Sequence, residues 1–215
     1  MTKVTCKGSV KLADVKSGAG DLATSGSVTL VNALENGVKV KGVISSKALQ
    51  TSSLAGCSLG VEKPGSLSAV YSFDSKTTKV SVFGKSTLQD REVKGKITYN
   101  QKGDAWTGEA TVALDGPVSE VTASYDLKDK AVTLSAALNI SGIDLEPEYS
   151  LNDKALSLSA SKEINDIPLT VTYDFSSKDV SLEAKINPAT VKLTTSLGGN
   201  SAIGLMVSTS KTFDV

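Results

Sequence analysis

The sequence predicts an all-β protein: one antiparallel up-and-down transmembrane β-barrel, residues 1–215, with about 16 strands, 12 or 14 also being compatible, joined by tight hairpins and containing no helices. Three observations carry this. Apolar and polar residues alternate with a period of two through most of the chain. A tyrosine-headed strand-turn-strand unit recurs at Tyr71, Tyr99, Tyr125, Tyr149 and Tyr173, at spacings of 28, 26, 24 and 24 residues. No segment carries the 3.6-residue period of an amphipathic helix.

The unit is clearest in YSLNDKALSLSA, Tyr149 to Ala160. Tyr149 and Leu151 alternate with serine and asparagine, Asn152-Asp153-Lys154 turns the chain, and Leu156, Leu158 and Ala160 resume the apolar face. Earlier in the chain, residues 2–12 put Val4, Cys6, Val10 and Leu12 on one face and Lys3, Thr5, Lys7, Ser9 and Lys11 on the other. A Gly/Ser/Asp turn from Asp14 to Asp21 precedes a strand with Val28 and Leu30, and Glu35-Asn36-Gly37 leads to Val38 and Val40 opposite Lys39 and Lys41. A looser stretch, Ser45 to Ser53, is followed by strands carrying Cys57, Leu59 and Val61, then Leu67, Ala69, Tyr71 and Phe73. Beyond these the pattern repeats about every 13 residues, close to the 9–11 residues a membrane-spanning strand needs plus a turn. Pro147 removes one ladder bond from its strand, and Gly198-Gly199-Asn200 makes the last turn.

Alternation alone does not say whether the apolar face meets lipid or a protein core. Aromatic residues make up only 5% of the chain, sparse for a soluble two-sheet core. No strand is apolar on both faces, as expected when all are equivalent members of a closed sheet. The five tyrosines, with Phe73, Phe175 and Trp106, fall beside the turns in phase with the apolar residues, which is the pattern of an interfacial girdle. Membrane lipid is therefore the expected partner of the apolar face. The competing reading is a soluble all-β binding or structural protein whose apolar faces enclose a core or a lipid cavity; retention in solution without detergent separates the two.

If the polar face lines a pore, Lys3, Lys7, Lys11, Lys39 and Lys41 form a basic wall, extended by Lys192 near the closing seam. Lys94 and Lys96 lie on the far wall with Glu92, Glu109, Glu120, Glu146, Glu148 and Glu183. A basic and an acidic sector imply weak ion selectivity and passage of small charged solutes. The pattern accommodates a homo-oligomer as well as a single chain.

The 23 basic and 23 acidic residues cancel, giving no support for nucleic-acid binding. No histidine is present, which removes the usual triads, zinc sites and general bases, so no catalytic residue, metal ligand or cofactor is assigned. Glu146 and Glu148, about 7 Å apart along one strand face, are the nearest thing to a carboxylate pair. Pro147 between them and the absence of any cleft signature favour a solvated face. Gly18-Ala19-Gly20-Asp21 reads as a hairpin turn rather than a phosphate loop, and Asn139-Ile140-Ser141 as a loop rather than a glycosylated site. Cys6 and Cys57 are too few for a disulfide framework and read as small apolar-face residues. The N-terminus has no apolar signal segment and already alternates as a strand.

Residues 54–84, LAGCSLGVEKPGSLSAVYSFDSKTTKVSVFG, resemble the chloroplast outer envelope pore protein 24 family. The likeness rests on Ser58, Leu59, Val61, Glu62, Lys63, Pro64, Gly65 and Ser66, followed by an alternating strand and a charged turn, and on Lys7-Gly8 near the N-terminus. It implies a multi-pass β-barrel channel in the plastid outer membrane that passes triose phosphates, dicarboxylates, amino acids and similar solutes. It brings no catalytic residues.

Overall fold

A computed structural model describes residues 2–12, 22–198 and 202–214. The Asp14–Asp21 turn, with Gly18-Ala19-Gly20-Asp21, and Gly199-Asn200 lie outside them. Sixteen strands form one closed sheet: β1 (Thr2–Leu12), β2 (Leu22–Ala33), β3 (Lys39–Ser45), β4 (Ser58–Lys63), β5 (Leu67–Ser72), β6 (Thr77–Leu88), β7 (Arg91–Asn100), β8 (Ala105–Ala113), β9 (Val118–Asp126), β10 (Ala131–Ile140), β11 (Ile143–Ser150), β12 (Ala155–Ile164), β13 (Ile167–Asp174), β14 (Asp179–Ile186), β15 (Ala189–Ser196) and β16 (Gly204–Asp214). Each strand pairs antiparallel with its sequence neighbours, and β1 pairs with β16 from Lys3↔Asp214 to Leu12↔Leu205.

The register sorts residue chemistry around the whole circuit. Val80 is opposite Tyr99, Val82 opposite Ile97 and Val93 opposite Val112. Further on, Leu158 is opposite Tyr173, Val171 opposite Leu182, and Leu182 opposite Leu193. The other set of positions includes Ser–Thr pairs such as Ser159↔Thr172 and charge–hydroxyl pairs such as Ser157↔Asp174 and Glu109↔Ser124. Large hydrophobics exposed on the strands lie on the apolar register face, Val70 excepted: Ile97 is 57% exposed and Val82 53%. The buried polar pair Ser81 and Thr98 lies on the opposite face. The apolar face is thus the outside of the cylinder and the polar face the inside.

This arrangement has no apolar core. Among the described residues the buried apolar side chains are Ala48 and Cys57, whereas a soluble sandwich or a lipid-enclosing barrel turns its large hydrophobics inward. Cys57 is buried, and Cys6 is exposed on the outer face.

The two ends use different turn chemistry. At the end that holds both termini, Gln89-Asp90, Ser141-Gly142 and Asn165-Asp166 each have both residues at positive φ. That is the twist of a two-residue type I′ hairpin. At the opposite end, four-residue turns close with a left-handed residue: Lys76, Asp104, Lys130, Lys154 or Lys178. Asp126 accepts the N–H groups of Lys128 and Asp129, and Asp174 those of Ser176 and Ser177, which nucleates the bend.

Two local features depart from the regular pattern. The looser stretch after β3 contains one short helix, α1 (Ser46–Thr51), where the sequence predicted none. Ser45 caps it by accepting the Ala48 N–H at 3.1 Å, and six residues are too few to show a helical period. The β10–β11 ladder also skips from Ser135↔Glu148 to Leu138↔Leu145. Pro147, lacking an N–H, falls in the gap, and β9–β10 shifts register beside it at Ala137/Leu138. The ladder bond expected to be lost at Pro147 is lost on the β10 side.

An arginine in place of Leu182, at the centre of an outer-face row, should lower barrel stability in lipid vesicles by about 2–4 kcal/mol. Ser181→Arg, one residue away on the inner face, should change it far less. Equilibrium urea unfolding in vesicles, followed by Trp106 fluorescence, checks the difference; equal losses would contradict the facing assigned here.

Candidate pore and membrane-facing surface

Because successive side chains of a strand alternate faces, the lysines and glutamates singled out from the sequence can be placed by register. Lys3, Lys7 and Lys11 of β1 and Lys39 and Lys41 of β3 all fall on the polar face. Lys3, Val31 and Lys41 are consecutive across β1, β2 and β3, so the two ammonium groups flank a neutral residue. Lys192 is joined to Lys11 through Met206, across β15, β16 and β1. It also stands directly opposite Glu183.

Lys94 and Lys96 stand among glutamates where the two charge sectors meet. The Lys96 ammonium lies 3.3 Å from the Glu109 carboxylate, and Lys94 lies 3.1 Å from Glu120 and 3.6 Å from Glu92. These pairs are substantially exposed, so each contributes no more than about 1 kcal/mol. Their main effect is to fix the line where basic wall meets acidic wall. Beyond them, Glu109 is followed on the same face by Glu120 on β9, Glu146 and Glu148 on β11, and Glu183 on β14. From β8 to β14 the acids of this face are accompanied by one cation, Lys185.

Sequence reading passed over several charges of the polar face. Lys79 and Lys85 of β6 strengthen the basic side, and Asp144 and Glu163 the acidic side. Asp144 lies in phase with Glu146 and Glu148, Lys79 and Lys85 with Ser81, and Glu163 with Ser157 and Ser159; following each alternation to the strand end would have found them.

Between the charges the inner face is a carpet of hydroxyls bonded across the ladder. Ser81 and Thr98, Thr111 and Thr122, Ser159 and Thr172, and Ser161 and Thr170 pair at 2.8–2.9 Å. Each pair satisfies two polar groups without a bulky side chain, leaving space beside the wall. One recess of about 520 Å³ is bounded by Lys7, Ser9, Ser25, Ser27, Met206 and Ser208. Another, of about 210 Å³, lies at the Pro147 gap and is bounded by Glu120, Glu146, Glu148, Ser135 and Ser157.

The outer face has its own longitudinal order. Tyr71, Tyr99, Tyr125, Tyr149 and Tyr173 are all outward and all at the end of the four-residue turns. Tyr99 is joined by Trp106 at 4.7 Å between ring centroids, Tyr71 by Phe73 at 5.1 Å and Tyr173 by Phe175 at 4.7 Å. At the end with the termini, outward isoleucines flank the short turns: Ile140↔Ile143 and Ile164↔Ile167.

The geometry is that of a channel wall, and comparison with known proteins agrees. By fold, the chain is similar to a triple mutant of the Rh. blastica porin, with a TM-score of 0.57, 8% identity and coverage of 99% of this chain and 100% of that one. It is also similar to Salmonella typhi OmpF in complex with daunomycin, with a TM-score of 0.56, 10% identity and coverage of 99% and 97%. A bacterial polysaccharide outer-membrane secretin gives a TM-score of 0.50 at 11% identity over 100% and 98% of the two chains. At these identities the likeness concerns the fold alone. Comparison by sequence with curated proteins gave no match. The profile described as "Outer envelope pore protein 24" matches residues 10–210, nearly the whole barrel; the chain belongs to the outer envelope pore protein 24 family, as a multi-pass β-barrel channel of the plastid outer membrane.

Proposed function

We propose that this barrel is a passive, non-catalytic pore through which small charged metabolites diffuse with weak selectivity, triose phosphates, dicarboxylates, amino acids and inorganic ions among them. The observation that carries this is the two-signed polar face, with lysines concentrated on β1, β3, β6 and β7 and carboxylates on β8 to β14. In this reading Lys3, Lys7, Lys11, Lys39, Lys41, Lys94, Lys96 and Lys192 line the pore together with Glu109, Glu146, Glu148 and Glu183. A wall of one sign would repel its co-ions from the whole cross-section. Opposed walls offer an anion and a cation each a favourable side, so neither is excluded. The path lies within one chain, so conduction does not require self-association.

The outward tyrosines are assigned to the membrane interface, where an apolar ring with a polar hydroxyl sits at headgroup level. This accounts for their common height and outward register.

Reversal potentials in a salt gradient across planar bilayers test the pore. The wild-type protein should show a permeability ratio between anions and cations within a few-fold of unity. Lys39→Glu with Lys41→Glu should shift it towards cations, and Glu146→Lys with Glu148→Lys towards anions, each by about two- to fivefold at low salt and less once the Debye length falls to about 3 Å in molar salt. Near-complete exclusion of either sign by the wild type, or no shift in either variant, would overturn the reading. Replacing all five tyrosines by serine tests the interface separately. The inserted fraction in vesicle flotation should fall while barrel formation in detergent persists; undiminished insertion would remove the tyrosines from that role.

A further inference from the structure

The outer face is not uncharged. Four strand residues on it are ionic, namely Lys63, Arg91, Lys162 and Lys211, and all four are cations. Among the described strand residues, no aspartate or glutamate shares that face, although the inner face carries both signs. All four cations are also at one end. Lys63↔Leu67 and Arg91↔Leu88 are the closing pairs of their hairpins. Lys162↔Leu169 lies one same-face pair inside Ile164↔Ile167, and Lys211↔Cys6 one inside Phe213↔Val4. At about 3.4 Å per residue this puts every one within roughly 10 Å of the strand end, within reach of headgroups for a side chain that extends along the apolar wall.

We propose that this cationic ring binds the headgroups of anionic lipids, seating the end that carries the termini and the two-residue turns in a negatively charged membrane surface. Position and sign both point there. Outward side chains at this height meet lipid headgroups, and cations without outward acids attract negative ones. Their charges are available: Lys63, Lys162 and Lys211 have no carboxylate within 4.0 Å among the described residues, and Arg91 touches only the fully exposed Asp115, at 4.0 Å. Lys211 lies 5.2 Å from the centroid of the Phe213 ring, which supports its ammonium at the rim. The opposite end offers the aromatic ring instead and no outward cation on its strands, so the two ends present different chemistry to the two leaflets. This proposal depends on the barrel spanning a bilayer, not on what it conducts.

Electron spin resonance of the full-length barrel in phosphatidylcholine vesicles provides the test, with trace spin-labelled phosphatidylglycerol or spin-labelled phosphatidylcholine as probe. The motionally restricted fraction reports lipid held against the protein. Wild type should select phosphatidylglycerol several-fold over phosphatidylcholine at low salt, with the preference largely lost in 1 M salt. The quadruple variant Lys63→Gln, Arg91→Gln, Lys162→Gln, Lys211→Gln should hold both probes equally while its conductance is kept. A control altered at the other end, Lys76→Gln, Lys130→Gln, Lys154→Gln, Lys178→Gln, should retain the selection. No preference in wild type, a preference surviving the quadruple change, or one lost only in the control overturns the proposal. Should the quadruple variant not form a barrel, Lys162→Gln and Lys211→Gln singly decide: each lowers the ratio, and unchanged ratios in both overturn it. Loss of conductance with lipid selection intact would count against the pore alone.

Discussion

The hydrogen bonding of the backbone is the constraint on which everything else in this molecule depends. Hydrocarbon offers no partner for a peptide N–H or C=O, so a sheet that crosses a bilayer must leave no open edge. The β1–β16 seam removes that edge, joining the first and last strands over ten paired residues. Once the sheet is closed, its two faces cease to be equivalent, since one looks at lipid and the other at whatever fills the cylinder. The period-two alternation then follows as a division of labour. Each strand gives its valines, leucines and tyrosines to one environment and its serines, threonines and charges to the other.

Polar contents follow from size. A cylinder of sixteen strands is too wide for the side chains of one face to meet in the middle and fill it. Short hydroxyl residues suffice for the wall, because they satisfy one another across the ladder. That leaves the longer charged residues as the groups that shape the space. On this face lysines predominate in the first half of the circuit, with Glu62 and Glu92 among them, and carboxylates in the second, with Lys185 and Lys192. The ion pairs of Lys94 and Lys96 mark where the two halves meet on β7 to β9.

How much of this the sequence disclosed depends on the range of the signal. Strand number and facing were legible because Tyr149, Leu156 and Leu158 declare their face within a few residues, and nearly every strand repeats the statement. The charged wall was legible for the same reason wherever a lysine or glutamate sat between strong apolar markers, as Lys39 and Lys41 do beside Val40. Lys85 was passed over because β6 runs on through Gly84 and Ser86, where the apolar markers fade; Lys79, beside Val80 at the start of the strand, carried the same signal as Lys39. Helix α1 is set by Ser45 and its cap, a local hydrogen bond that leaves no periodic trace. Which lysines stand on the sector boundary depended on pairings between strands, such as Lys96↔Glu109, that alternation within one strand does not specify.

Pro147 gives the barrel a direction of softness. No other ladder of the described strands has an internal gap, and a wall so paired resists flattening much as a corrugated tube does. At β10–β11 no residues are paired between Ser135↔Glu148 and Leu138↔Leu145, and the β9–β10 register slips alongside. Deformation of the cross-section therefore concentrates on this line. The line passes through the acidic sector, with Glu146 and Glu148 on either side of the proline, while the lysines of β1 and β3 stand on unbroken lattice. The one internal gap in the paired lattice thus lies under carboxylates, while the ladders that carry the ammonium groups of β1 and β3 run without a break.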